Sequence, residues 1–515
     1  MKRIYTIILL IITFRSFGQT RDTITLSKTD ITDTTAFDMR VRMQRPLTTY
    51  LQPLAPTMDI NGLARKGNFQ FAFYADGKLV YTENLNAGAG TPEQKKTQTN
   101  FRVPLVSNTD EDSWGRFLWM RFTLRGGEAA LTEGTHDLRI EIRPYLRLDS
   151  VITGPIIATG QTKLNIIKPN VTDAQTAIQP VVAGSSWPLS NAKYDRELIK
   201  KMNRAILHHD LKKITSVVVI KNGKLLLEEY FNGADRRTLH NTRSASKSYT
   251  SALMGIAIRD HYIKNERQKL KDFYNLRSYA HYSAKKDSVK ISDLLSMSSA
   301  FKGSDDNQDS PGNEENMYPA ANWVRFALDL PMDSAKTNGK QWDYFTAGVV
   351  VLGDILNNCV PGGLEKFADK KLFKPLGISK YQWQYTPQKV VNTAGGLALS
   401  SLDNAKFGQL YKNGGLWNGK QLIPAAWVAR LLSKQLPLPG RPNEFYGYLF
   451  WNKTYAAGNK NYETWYCAGN GGSKVYIFKD QPLVIVITAT AYNMPYAHPQ
   501  VDQMMTSYLI PAFTN

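Results

Sequence analysis

Cysteine is scarce: the 515-residue chain has only Cys359 and Cys467. Two thiols cannot form a disulfide framework, and Cys359 falls in a helical pattern while Cys467 falls in a strand-like one, so two buried free thiols are expected. Histidine is also sparse, at seven residues, and no Cys/His spacing suggests a zinc site. Long apolar runs are missing too. The one conspicuous run, IYTIILLIITF near the start, is shorter than the roughly 20 residues a membrane span requires. With basic MKR before it and the small residues Ser16 and Gly18 after it, it reads as a secretory signal over residues 1–19. An exported protein, periplasmic or secreted and without a transmembrane anchor, is the expectation.

Acidic residues are outnumbered, 44 to 64 by Lys and Arg, for a net charge of +20. The basic residues are scattered singly, and no nucleic-acid motif accompanies them, so a basic solvated surface is expected rather than a nucleic-acid interface. Hydrophobic residues at 42% and charged residues at 21% describe a globular chain long enough for more than one core.

What the chain does contain changes character along its length. Residues 20–168 alternate apolar and polar positions, as in FQFAFYADGKLVYTENL, with Asp76-Gly77 placed for a hairpin turn. This predicts a β-sandwich. Residues 169–190 are rich in Pro, Gly, Ser and Thr and read as a linker. From 191 to 515 strands flank a mostly helical middle. TSVVVIKNGKLLLEEYF turns at Asn222-Gly223, and SKVYIFKDQPLVIVITAT forms a second hairpin near the end. One antiparallel sheet built from both termini, with a helical insert, satisfies that pattern. The fold class is therefore α/β (α+β).

Four Ser-x-x-Lys tetrads occur, beginning at Ser190, Ser244, Ser283 and Ser299. Only Ser244 opens a long apolar helix, SYTSALMGIAI, directly after a hairpin. A serine there is near free backbone N–H groups and the positive end of a helix dipole. Lys247, three residues on, lies on the same helix face and is a candidate proton acceptor. The same pair also suits a plain helix cap followed by a surface lysine.

Other segments decide between these readings. SASK with SALMGIAI, KISDLLSMSSAF, QWDYFTAGVVVLGDIL, NTAGGLALSSLDNAKFGQLYKNGGLWNGKQLIPAAWV, YGYLFW and WYCAGNGGSKVYIF follow one another in the chain. In that order they resemble the β-lactamase and penicillin-binding-protein-like serine hydrolases, above all the esterase and 6-aminohexanoate-oligomer hydrolase branch. The resemblance spans roughly residues 190–512. It implies a β-lactamase/transpeptidase-like fold, Ser244 as nucleophile, Lys247 as proton acceptor and Tyr344 as third member, with a lowered Tyr344 pKa. It also implies an oxyanion hole from the backbone N–H groups of Ser244 and Asn470, with Gly469 leaving room for substrate. No metal or organic cofactor is implied. Thr346 stands where the family has an amide side chain, and Cys467 where it often has Lys or His. The loss of that cation points away from substrate carboxylates and toward a small-molecule or oligomeric ester or amide substrate. A β-lactamase or D,D-carboxypeptidase, and a non-catalytic binding protein of the same fold, are the alternatives.

Overall fold

The computed structural model describes residues 22–31, 36–106, 114–115, 117–182 and 187–514. The proposed signal lies outside them. The first part of the chain forms one nine-stranded sheet. Its main path runs Lys78–Asn84, Gly67–Ala75, Gly134–Arg147, Ala158–Ile166, Thr23–Leu26, Phe37–Arg42, Asn100–Val106. Pairing is antiparallel except where Thr23–Leu26 and Asp30–Ile31 join Ala158–Ile166. Alternation along FQFAF turns Phe69, Phe71 and Phe73 to one side, where all three are fully buried. The sheet curls until its two ends face each other. Phe69 stacks on Phe101 with ring centroids 5.2 Å apart, although four strands separate theirs in the sheet order. The layers of a sandwich thus come from one continuous sheet, with the Leu47–Leu51 and Leu118–Phe122 helices closing the core between them.

The second sheet has eight antiparallel strands in the order Lys224–Tyr230, Ile214–Lys221, Leu483–Ala489, Lys474–Phe478, Lys460–Ala468, Trp451–Ala457, Phe445–Tyr446, Leu436–Pro437. Its first and last segments in the chain lie side by side, as the two-termini pattern predicts. Asn222 and Gly223 take φ of 53° and 70°, the left-handed pair a two-residue hairpin needs, and Asp76-Gly77 does the same at 48° and 79°. Helices cover both faces. Arg196–Leu207 and the C-terminal helices bury Val217, Val219, Ile485 and Ile487 on one side. The helical insert and Ser401–Lys412 cover the other, where Gly408 leaves no room for a side chain against Val475 and Val484. Burial on both faces explains why LVIVITA shows no alternation: every residue of Leu483–Ala489 is buried.

The segment that reads as a linker is docked on the hairpin. Gln179 N–H donates to Glu229 at 2.9 Å and Val182 N–H to Glu228 at 2.9 Å. Burial pushes the Glu229 carboxyl up to about 7, with the bonds from Gln179 and Asn203 opposing. Among the described residues no single helix is long and apolar enough to cross a membrane. Both cysteines are free thiols.

A buried ion pair pins the Ala497–Met504 helix to the sheet. Lys474 Nζ donates to Asp502 at 2.7 Å, Tyr455 OH donates to the same carboxylate at 2.7 Å, and Lys453 Nζ at 2.9 Å. Lys474 begins the strand paired with the one that leads into Gly469 and Asn470, so the pair also sets where that strand ends. Removing the carboxylate by Asp502→Ala leaves the buried Lys474 ammonium without its hydrogen-bonded counter-charge, with only the Glu444 charge still acting on it. A loss of about 3 kcal/mol in urea-unfolding free energy is expected, against under 1 kcal/mol for the exposed pair partner Asp173→Ala.

Candidate active site

Ser244 sits in the one-turn helix Arg243–Ala245, which runs directly into Ser246–Arg259. The turn into it is strained: Arg243 has φ of 51°, in the left-handed region. The Asn241 side chain offsets this by accepting the Arg243 N–H at 2.9 Å. Residues 246–257 are all buried, so the helix behind Ser244 is held from every side.

Two segments far along the chain hold this helix and the turn before it. In NTAGGLAL, the Thr393 carbonyl accepts from Ser246 at 3.4 Å and Thr250 at 3.2 Å, Ala394 from Lys247, and Leu397 from Thr242 at 2.6 Å. In YGYLFW, the Leu449 carbonyl accepts from Ser248 at 2.6 Å while its N–H donates to the carbonyl of Leu295, the last residue of the Ile291–Leu295 helix, at 2.9 Å.

The serine and lysine meet. Lys247 Nζ lies 2.9 Å from Ser244 Oγ, with the lysine only 2% exposed. Its amine stands 5.2 Å from the centre of the Tyr344 ring. That ring stacks on Trp451 at 5.7 Å and is flanked by Trp342. The Tyr344 hydroxyl bonds to Ser244, which favours its ionised form, but burial and the negative charges of Asp305, Glu314 and Asp306 outweigh that bond and raise its pKa. The expectation of a lowered Tyr344 pKa is therefore corrected: burial first, and then the neighbouring acidic groups, keep the phenol protonated.

Ser244 opens on a cavity of about 240 Å³ that Asn470, Arg243, Glu314, Tyr318, Asn392 and Gly395 also line. Asn470 is fixed by Asn493, to which its amide donates at 2.6 Å and from whose N–H its oxygen accepts at 2.9 Å. Gly469 is needed at a different contact from the expected one. A Cβ there would lie 2.1 Å from the Thr242 carbonyl oxygen, so the glycine lets the strand press against the backbone before Ser244 rather than making room for substrate. Cys467 is not brought to the cavity. It is buried in the core beside Ser248, and burial pushes its thiol up to about 12, so it supplies neither a cation nor a thiolate. Thr346 is likewise buried, and its N–H donates to Asp305 at 2.8 Å.

Sequence reasoning passed over Asp305, Glu314, Tyr318 and Arg243. Three of them lie in the loop KGSDDNQDSPGNEENMYP, whose density of acids in a basic chain was the available signal. Asp305 Oδ1 accepts the Glu314 N–H at 2.9 Å, and Tyr318 OH donates to Glu314 at 2.9 Å. Burial, and then the Glu314 charge, push the Asp305 carboxyl up to about 7, against the opposing bonds from Thr346 and the charge of Lys247. Arg243 reaches over the Tyr492 ring at 4.2 Å. Among the described residues no group of three His, Cys, Asp or Glu side chains could hold a metal ion.

The sequence profile of the Beta-lactamase family matches residues 211–502, more than half of the chain. The chain belongs to the β-lactamase family. A protein of Bacteroides dorei provisionally described as a β-lactamase superposes with a TM-score of 0.50 at 16% identity, covering 61% of this chain and 99% of that one. One from Bacillus anthracis, provisionally described as a 6-aminohexanoate-dimer hydrolase, gives a TM-score of 0.48 at 19% identity over 57% and 78%. A D-stereospecific amidohydrolase from Streptomyces gives 0.44 at 14% identity over 56% and 92%. Among curated proteins, none matches the sequence. In this β-lactamase-family chain the match begins after the N-terminal sheet.

The Asp305 carboxyl gives the site a pH signature. Unfolded, it ionises near its ordinary value of 3.8; folded, it keeps its proton to about 7. The folded state therefore loses stability relative to the unfolded state as pH rises through that window. Asp305→Asn removes this slope. Thermal melts from pH 4 to 8 should show the difference between variant and wild-type melting temperatures moving in the variant's favour up to about pH 7, then levelling.

Proposed function

We propose that the protein is an exported serine hydrolase that cleaves ester or amide bonds through an acyl-enzyme on Ser244. The observation that carries this reading is the buried Lys247 amine 2.9 Å from Ser244 Oγ at the edge of a cavity. A serine hydroxyl is a weak nucleophile until a base removes its proton. Lys247, in its neutral form, takes that proton as Oγ attacks the acyl carbon. The backbone N–H groups of Ser244 and Asn470 are the candidate donors to the developing oxyanion. Tyr344, kept protonated by its surroundings and bonded to Ser244, hands a proton to the leaving alcohol or amine, and recovers it by way of Lys247. Water then enters and attacks the acyl carbon as the same pair takes its proton; the Oγ–acyl bond breaks, that proton passes to Ser244 Oγ, and the acid leaves. Without a cation at Cys467, an uncharged acyl group is the favoured substrate.

One observation supports a second reading. Arg243 is among the residues lining the cavity next to Ser244, and a cationic residue there suits the substrate carboxylate that hydrolysis of a β-lactam or of a D,D-peptide would involve.

Release of p-nitrophenol from a short-chain ester tests the first reading. Ser244→Ala and Lys247→Met should each lower turnover about 10³-fold or more while far-ultraviolet circular dichroism stays that of the wild type. Equal turnover in wild type and Ser244→Ala sinks the reading. Hydrolysis of a chromogenic cephalosporin but not of the ester would favour the second one. Export is tested separately: protein recovered from outside the cytoplasm should begin just after Gly18 or Gln19.

A further inference from the structure

The loop over residues 302–318 belongs to two surfaces at once. Its inner side meets the candidate site. Asp305 N–H donates to the Tyr344 carbonyl at 2.8 Å, Asp305 accepts from Thr346, and Glu314 faces the cavity opened by Ser244. Its outer side meets the N-terminal sheet. Arg121, on the Leu118–Phe122 helix, donates from Nε to Glu83 at 2.6 Å and from Nη1 to Glu315 at 3.1 Å. The three side chains are 12%, 2% and 7% exposed, so the bridge is dry. With the Gln308 amide turned so that its oxygen faces the guanidinium, that oxygen accepts from Nη1 at 2.7 Å. Asn86 donates to the Gln308 carbonyl, and Gly88 packs so closely on Asn316 that a Cβ would lie 2.0 Å from its side-chain oxygen.

Glu314 and Glu315 are neighbours in the single helical turn Glu314–Met317. Consecutive residues on a helix point in different directions, so one faces the cavity and the other the guanidinium. The loop is braced from within: Gly312 N–H donates to the Lys302 carbonyl at 3.0 Å, and Asn313 Nδ2 to the Asp305 carbonyl at 3.0 Å. A displacement at Glu315 is therefore carried to Glu314 and Asp305.

We propose that Arg121 is a positioning residue: by clamping Glu315 it holds the 302–318 loop against the site, so that the N-terminal domain sets one wall of the substrate cavity. This rests on the serine-hydrolase reading for its kinetic consequence but not for its structural one. The bridge is buried, so breaking its loop side costs more than an exposed ion pair would. Ser244 and Lys247 lie outside the clamped loop, but Asp305 bonds to the Tyr344 backbone and Glu314 faces the cavity, so a displaced loop disturbs substrate binding and proton transfer together.

The test uses full-length protein carrying Glu315→Gln, which keeps Arg121 paired with Glu83, alongside Arg121→Met and Arg121→Lys. In Glu315→Gln, amide hydrogens of 302–318 should exchange at least about tenfold faster, while Ser246–Arg259 keeps its wild-type protection. For the p-nitrophenyl ester, kcat/KM should fall about tenfold, and Arg121→Lys should recover part of what Arg121→Met loses. Wild-type exchange over 302–318 in Glu315→Gln overturns the proposal. So does exchange that accelerates evenly through both sheets, because that is general destabilisation. If the wild-type protein turns over neither the ester, a p-nitroanilide amide nor the cephalosporin, the hydrolase reading fails by that result, and the exchange data still decide whether the clamp exists.

Discussion

An amine held out of water beside a serine hydroxyl is the arrangement on which the rest of the structure depends. Burying an amine is costly unless the polar groups around it are placed to meet it. Here the Ala394 carbonyl and Ser244 Oγ accept from Lys247, and an aromatic face lies beyond. Such placement demands a helix that cannot shift, which is why residues 246–257 are packed on all sides rather than on one stripe. It also demands that a strand end and a serine loop touch backbone to backbone, which only a glycine at 469 permits.

The surface and the site follow opposite electrostatic rules. The chain as a whole is strongly basic, yet Asp305, Asp306 and Glu314 gather around Tyr344. Burial above all, with the field of these acidic groups added, holds the phenol in its neutral form. A tyrosine so placed suits proton donation, whereas one beside an unopposed ammonium would suit proton abstraction. In the proposed mechanism, the division of labour between Lys247 and Tyr344 is thus a property of the acidic loop as much as of the two residues. That loop is shared with the N-terminal sheet through the buried Arg121 bridge, so the electrostatics of the site and the packing of the two sheets are linked.

The sheet that brings these parts together explains why some elements were easy to read and others not. Asn222-Gly223 and Asp76-Gly77 were legible because left-handed φ at two successive positions is a local requirement that few residues satisfy. The curled nine-stranded sheet was legible as strands, but not as one sheet, because pairing between distant segments leaves no local mark. The 169–190 segment reads as a linker from its composition. Its docking on Glu228 and Glu229 depends on carboxylates some 50 positions away.

By itself the sequence determined the β-lactamase-like fold class, through the order of its segments, and the Ser244–Lys247 pairing, because helical spacing brings residues three apart onto one face. Tertiary structure alone decided the rest. It placed Gly469 against Thr242, withdrew Cys467 into the core, and turned Asp305 and Glu314 toward Tyr344. Each of these depends on the field and the free space made by segments far apart in the chain. Burial and charge act through distance in space, and the order of residues records distance only along the backbone.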